Sequence, residues 1–112
     1  MPQTIQRHHN GNGYPIAVAA DVANSTTISM GAASSLAVML EASPDAAARI
    51  NWYGSTSTDG PWLQIYLSGE EEAYTAVPAA GFYITPPELF GCAFLRGKSN
   101  VGGFSAVAVL KG

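Results

Sequence analysis

Large apolar residues alternate with small or polar ones along most of this chain. Leu36, Val38 and Leu40 alternate with Ala37, Met39 and Glu41, a period of two that turns one set toward a core and the other away from it. The same reading makes strands of residues 16–22, 26–30, 35–42, 73–77, 81–85, 92–97 and 103–110. Turn residues punctuate them at the roughly 8–12-residue spacing of a β-sandwich or barrel. Residues 48–67 carry the strongest local signal. Ile50-Asn51-Trp52-Tyr53 and Trp62-Leu63-Gln64-Ile65-Tyr66-Leu67 flank a Ser/Thr segment ending in Asp59-Gly60-Pro61, which predicts a β-hairpin. Helix is expected only as single turns over 44–48 and 87–91, the second tucking Leu89 and Phe90 under a sheet edge.

The predicted fold is therefore all-β, one antiparallel β-sandwich of jelly-roll-like or immunoglobulin-like topology over residues 15–112. A short extended N-terminal arm over residues 1–14 precedes it, polar and without an apolar period. The core is expected to include Leu36, Val38, Leu40, Ile50, Leu63, Ile65, Phe82, Ile84, Phe94, Leu95, Phe104 and Leu110.

Composition sharpens this picture. At 112 residues the chain suits one domain, long enough to bury roughly 60–70% of its unfolded surface. Charged residues make up only 12%, about half the usual share, and much of the apolar content is alanine. So sparsely charged a surface suits a protein covered by neighbours. The net charge of −3, with Arg7, Arg49, Arg96, Lys98 and Lys111 scattered along the chain, predicts no nucleic-acid partner. The polar N-terminus and short apolar runs predict neither a leader nor a membrane span.

Candidate chemistry is sparse. Cys92 is the single cysteine, which excludes an internal disulfide and a multi-thiolate zinc site. His8 and His9 are adjacent, so on an extended chain they point to opposite sides and grip no shared metal. No nucleophile–base pair and no converging carboxylate pair can be assembled. Glycines lack the strand–turn–helix setting of a phosphate cradle. The expectation is a protein with no catalytic residues, no metal, no cofactor and no enzymatic activity.

Aromatic residues are the serious candidates for binding. If the Leu63, Ile65 and Leu67 face is core, alternation turns Trp62 and Tyr66 outward, and Trp and Tyr are enriched at interfaces. The expected contact residues are Trp52, Trp62 and Tyr66, with Ile5, Arg7 and Tyr14 from the arm. A different reading makes Trp52, Trp62, Tyr66 or Tyr83 a sugar-stacking platform, with Asn51, Asp59 and Gln64 to bond hydroxyls.

The run 50–62 resembles one seen in small β-sandwich virion proteins of tailed bacteriophages. A second stretch, Tyr83-Ile84-Thr85-Pro86-Pro87-Glu88-Leu89-Phe90-Gly91-Cys92-Ala93-Phe94-Leu95-Arg96, is similar to their closing segment of aromatic strand, proline, short turn and strand. The resemblance implies a non-enzymatic structural protein of the virion, assembled in the host cytoplasm. A capsid decoration (cement) protein that stabilises the assembled lattice is the foremost expectation; a tail or fibre accessory domain, or a carbohydrate-binding module, is the alternative. The implied partner is the major capsid protein, or a tail protein, of the same particle. A homo-oligomer is expected, with a trimer favoured because capsid lattices offer threefold positions.

Overall fold

A computed structural model describes residues 13–31, 33, 35–42, 45–67, 71–86, 89 and 92–111, with the side chain of residue 111 excepted. The strands are β1 (Gly13–Val18), β2 (Ile28–Ser29), β3 (Ser35–Leu40), β4 (Arg49–Ser55), β5 (Leu63–Gln64), β6 (Tyr74–Ala76), β7 (Gly81–Ile84), β8 (Phe94–Ser99) and β9 (Phe104–Lys111). They form two antiparallel sheets, one ordered β1-β9-β3-β7 and the other β2-β8-β4-β5, with β6 also paired to β4. Successive strands pass from one sheet to the other, except where β4, β5 and β6 stay together. This interleaving is the jelly-roll order, the first of the two topologies expected.

Alternation fills the space between the sheets. Ile16 and Val18 of β1, Leu36, Val38 and Leu40 of β3, Ile50 and Trp52 of β4, Leu95 of β8, and Ala106 and Ala108 of β9 are all buried there. Leu89 is fully buried too, in a tight turn where its N–H donates to Pro86 O at 3.2 Å. The turn expected over 44–48 is not helical where it is described. Ala47 N donates to the Asp45 carboxylate at 2.8 Å, and Ala46–Ala47 is a simple turn.

Two tight spots explain glycines in strands. A Cβ on Gly97, opposite Trp52, would lie 2.5 Å from Ile50 Cγ2; one on Gly54 would lie 2.5 Å from Cys92 Sγ. Pro15 sits in β1, an edge strand paired only with β9, where a missing N–H disrupts no second ladder.

Four of the expected core residues are placed otherwise. Leu63, Phe82 and Ile84 are 66%, 62% and 80% exposed, and Phe94 is half-buried. In β7 the inward positions belong to Tyr83 and to the following Thr85. The Thr85 hydroxyl donates to Leu36 O at 2.9 Å, and the Tyr83 hydroxyl donates to Ala79 O at 2.6 Å. Hydrogen bonds, not side-chain size, choose the face of this strand. Tyr14, expected in the arm, is paired with Ala108 within β1 and packs against the core. Ile5, Arg7 and the histidines lie outside the described residues.

Candidate functional site

The outer faces of the two sheets differ sharply in chemistry. On the four-stranded sheet, strand register aligns Pro15, Val107, Met39 and Phe82 in one row across all four strands. Gly13, Val109, Ala37 and Ile84 form the next row. No position in either row is charged. Phe82 and Ile84 crown this face on the edge strand β7, and both are mostly exposed. Four strands at about 4.8 Å spacing and four residues at about 3.3 Å give these two rows about 250 Å². Exposed apolar patches of a few hundred Å² are often functional.

The five-stranded sheet presents the opposite character. Its outer positions include Arg49, Asn51 and Tyr53 on β4, Tyr74 on β6, and Arg96 and Lys98 on β8. Every cation whose side chain is described lies on this face. They look scattered in sequence. The missed signal was parity, since Arg49, Asn51 and Tyr53 alternate against Ile50 and Trp52, as Arg96 and Lys98 do against Leu95 and Gly97.

The hairpin expected over 48–67 is only partly present. β4 pairs with β5 at Tyr53–Gln64 and Gly54–Leu63, then changes partner to β6 over Arg49–Asn51. At the changeover Ile65 N donates to Trp52 O, and Trp52 N donates to Ala73 O, both at 3.0 Å. Tyr66, Leu67, Glu71 and Glu72 lie outside the named strands, bridged at Tyr66–Glu72. The Gln64 amide closes the gap, donating to Trp52 O and Ile65 O at 3.0 Å each.

The predicted contact residues are therefore dispersed. Trp52 is 0% exposed, with its indole N–H donating to the buried Thr75 hydroxyl at 3.0 Å. It belongs to the core, which corrects its expected place at a binding surface. Trp62 is half-buried and covered by Arg96, whose guanidinium carbon stands 4.5 Å from the ring centroid. Arg96 also donates to Thr27 Oγ1, Val22 O and Ala23 O at 2.8, 3.1 and 3.3 Å, bracing the 3₁₀ turn Val22–Asn24. Tyr66 is 59% exposed and bridged to Glu72. Tyr83 belongs to the other sheet, so Trp52, Trp62, Tyr66 and Tyr83 share no common face.

Asn51 and Gln64 do come together. Asn51 Nδ2 donates to Gln64 Oε1 at 3.5 Å and to Glu72 Oε1 at 3.1 Å. They line a shallow depression with Arg49, Tyr53, Lys98 and Asn100. Asp59 lies apart from it, in an exposed turn where its N–H donates to Ser57 Oγ at 3.2 Å.

Burial pushes the Cys92 thiol and the Tyr14 hydroxyl above their ordinary pKa values, so both stay protonated near neutral pH and neither is an activated nucleophile. No group of three or more His, Cys, Asp or Glu able to hold a metal occurs among the described residues. Among the same residues no helix is long and apolar enough to cross a membrane. No family model, curated protein or solved structure matches the chain.

Proposed function

We propose that this protein is a non-enzymatic assembly component that docks the outer face of its four-stranded sheet onto a repeating protein surface. The two uncharged rows carrying Phe82 and Ile84 support this reading most directly. A side chain as apolar as Phe or Ile gains about 1.5–3 kcal/mol when it leaves water, and a free surface forgoes that gain.

The surface we favour is the capsid lattice of a tailed bacteriophage, with the chain as a decoration (cement) protein. That choice rests on the resemblance of residues 50–62 and 83–96. The jelly roll is compatible with it, since the fold recurs in viral capsid and lectin domains, though a fold alone does not assign a function. In this role the protein works by mass action, stabilising the assembled lattice because it binds that state alone.

The size of the face bears on oligomeric state. About 250 Å² is a third of the roughly 800 Å² per partner of a stable interface, so one face makes a weak contact. Several copies held together reinforce one another through effective concentration. A homo-oligomer, with a trimer favoured, meets that need, and its natural partner is the major capsid protein of the same particle.

The test is co-sedimentation of purified protein with assembled empty shells, together with shell melting. The wild-type chain should bind at micromolar concentration and raise the shells' melting temperature. Phe82→Ser/Ile84→Ser should remove both effects while circular dichroism stays unchanged. Absence of wild-type association at micromolar concentration refutes the role.

A further inference from the structure

The depression on the opposite sheet has no part in that docking, and its chemistry is different. Asn51 stands at its centre, directly across from Lys98 on the neighbouring antiparallel strand. Arg49, two residues along β4, lies on the diagonal from Lys98, a separation of about 7–8 Å on one sheet face. Glu72, bridged to Tyr66, fixes the Asn51 amide at 3.1 Å. Tyr53 lines the depression beside them.

Several polar groups here are open. Among the described residues the Lys98 ammonium has no hydrogen bond or ion pair, and the Arg49 guanidinium has only the Tyr74 ring, at 4.9 Å. Both Asn51 amide hydrogens are directed at Glu72 and Gln64, which leaves its carbonyl oxygen to accept from a ligand. Among the same residues the second Glu72 oxygen is equally open. Arg96, the third cation of the face, is taken up by Thr27, Val22 and Ala23.

We propose that this depression binds an acidic saccharide, a sugar ring that carries a carboxylate. Lys98 and Arg49 take the carboxylate through charge-assisted hydrogen bonds. Glu72 and the Asn51 carbonyl accept from ring hydroxyls, a task that a site for simple anions does not need. Tyr53 offers an apolar wall to one edge of the sugar. Glu72 also sets the selectivity, because it repels densely charged polyanions and rewards a ligand with one charge and several hydroxyls. With the apolar face against a particle, this face looks outward. It binds sugar whether or not that docking occurs, since the two sites share no residue.

The test is an NMR titration of the isotope-labelled full chain at low ionic strength. The probes are glucuronic acid and N-acetylneuraminic acid, with glucose and inorganic phosphate as controls. At least one acid should shift the Asn51, Tyr53 and Lys98 signals saturably, with a dissociation constant of about 1–10 mM, as befits a shallow site with few contacts. Glucose and phosphate should each bind about tenfold more weakly or worse. Lys98→Met should weaken the acid about fivefold or more and leave shell co-sedimentation unchanged.

Absence of saturable shifts at about 50 mM of both acids overturns the proposal. Equal binding of glucose overturns the charge requirement, and equal binding of phosphate reduces the site to one for simple anions. If the acids bind while the wild-type chain ignores shells, the docking role falls and this site stands.

Discussion

Trp52 shows how much one residue's placement depends on its polar atom. Its ring fills the core between the sheets, but the indole N–H is tolerated there only because Thr75 Oγ1 accepts from it, as a buried donor must be satisfied. Trp52→Phe removes volume and leaves the Thr75 hydroxyl unpartnered. It should cost about 2–4 kcal/mol in urea unfolding. Adding Thr75→Val should restore part of that loss, because replacing both partners by apolar groups removes the stranded hydroxyl. If the double variant is no more stable than Trp52→Phe alone, the hydrogen bond does not carry the cost. Alternation along β4 groups Trp52 with Ile50 on one strand face. Treating Trp52 as a contact residue set aside that parity in favour of the general habit of tryptophan at interfaces.

At the scale of elements, alternation located nearly every strand but assigned the short ones β5 and β7 the wrong core face. In β3, three large residues face three smaller or more polar ones, and the core face is legible. In β7, Phe82 and Ile84 compete with Tyr83 and Thr85, and the outcome turns on hydrogen bonds to Leu36 O and Ala79 O. Both acceptors are remote or conformational, so no local pattern announces them. The 48–67 hairpin is cut short for a related reason. β4 finds its second partner in β6, from beyond the Glu71-Glu72 segment, so β5 keeps only the Tyr53–Gln64 and Gly54–Leu63 pairs. The candidate depression was hidden likewise, because Asn51, Glu72 and Lys98 meet only through the partner change and the β4–β8 register.

Arg96 is the brace between elements, tying β8 to the 3₁₀ turn and to β5 through Trp62. Arg96→Met keeps the apolar stem and removes the donors, leaving Val22 O and Ala23 O without its support. It should destabilise by about 1.5–3 kcal/mol, the range for hydrogen bonds from a charged group. Amide exchange should quicken over residues 22–27 and remain unchanged in β3 and β9. A uniform increase across both sheets would show that Arg96 acts on the whole fold instead of on this corner.

The whole molecule is a sandwich whose two outer faces differ in chemistry. Low overall charge was visible in the composition, but its distribution was not. The described cations gather on the five-stranded sheet, and the four-stranded sheet presents two uncharged rows across its full width. Such a division is costly for a free surface and useful for one that docks. The most direct test is hydroxyl-radical footprinting of the protein free and bound to assembled shells, read by mass spectrometry. The account predicts that Met39, Phe82 and Ile84 lose reactivity on binding, while Tyr74 on the opposite face keeps it. Unchanged reactivity of Met39, Phe82 and Ile84, with protection appearing at Tyr74 instead, would contradict it.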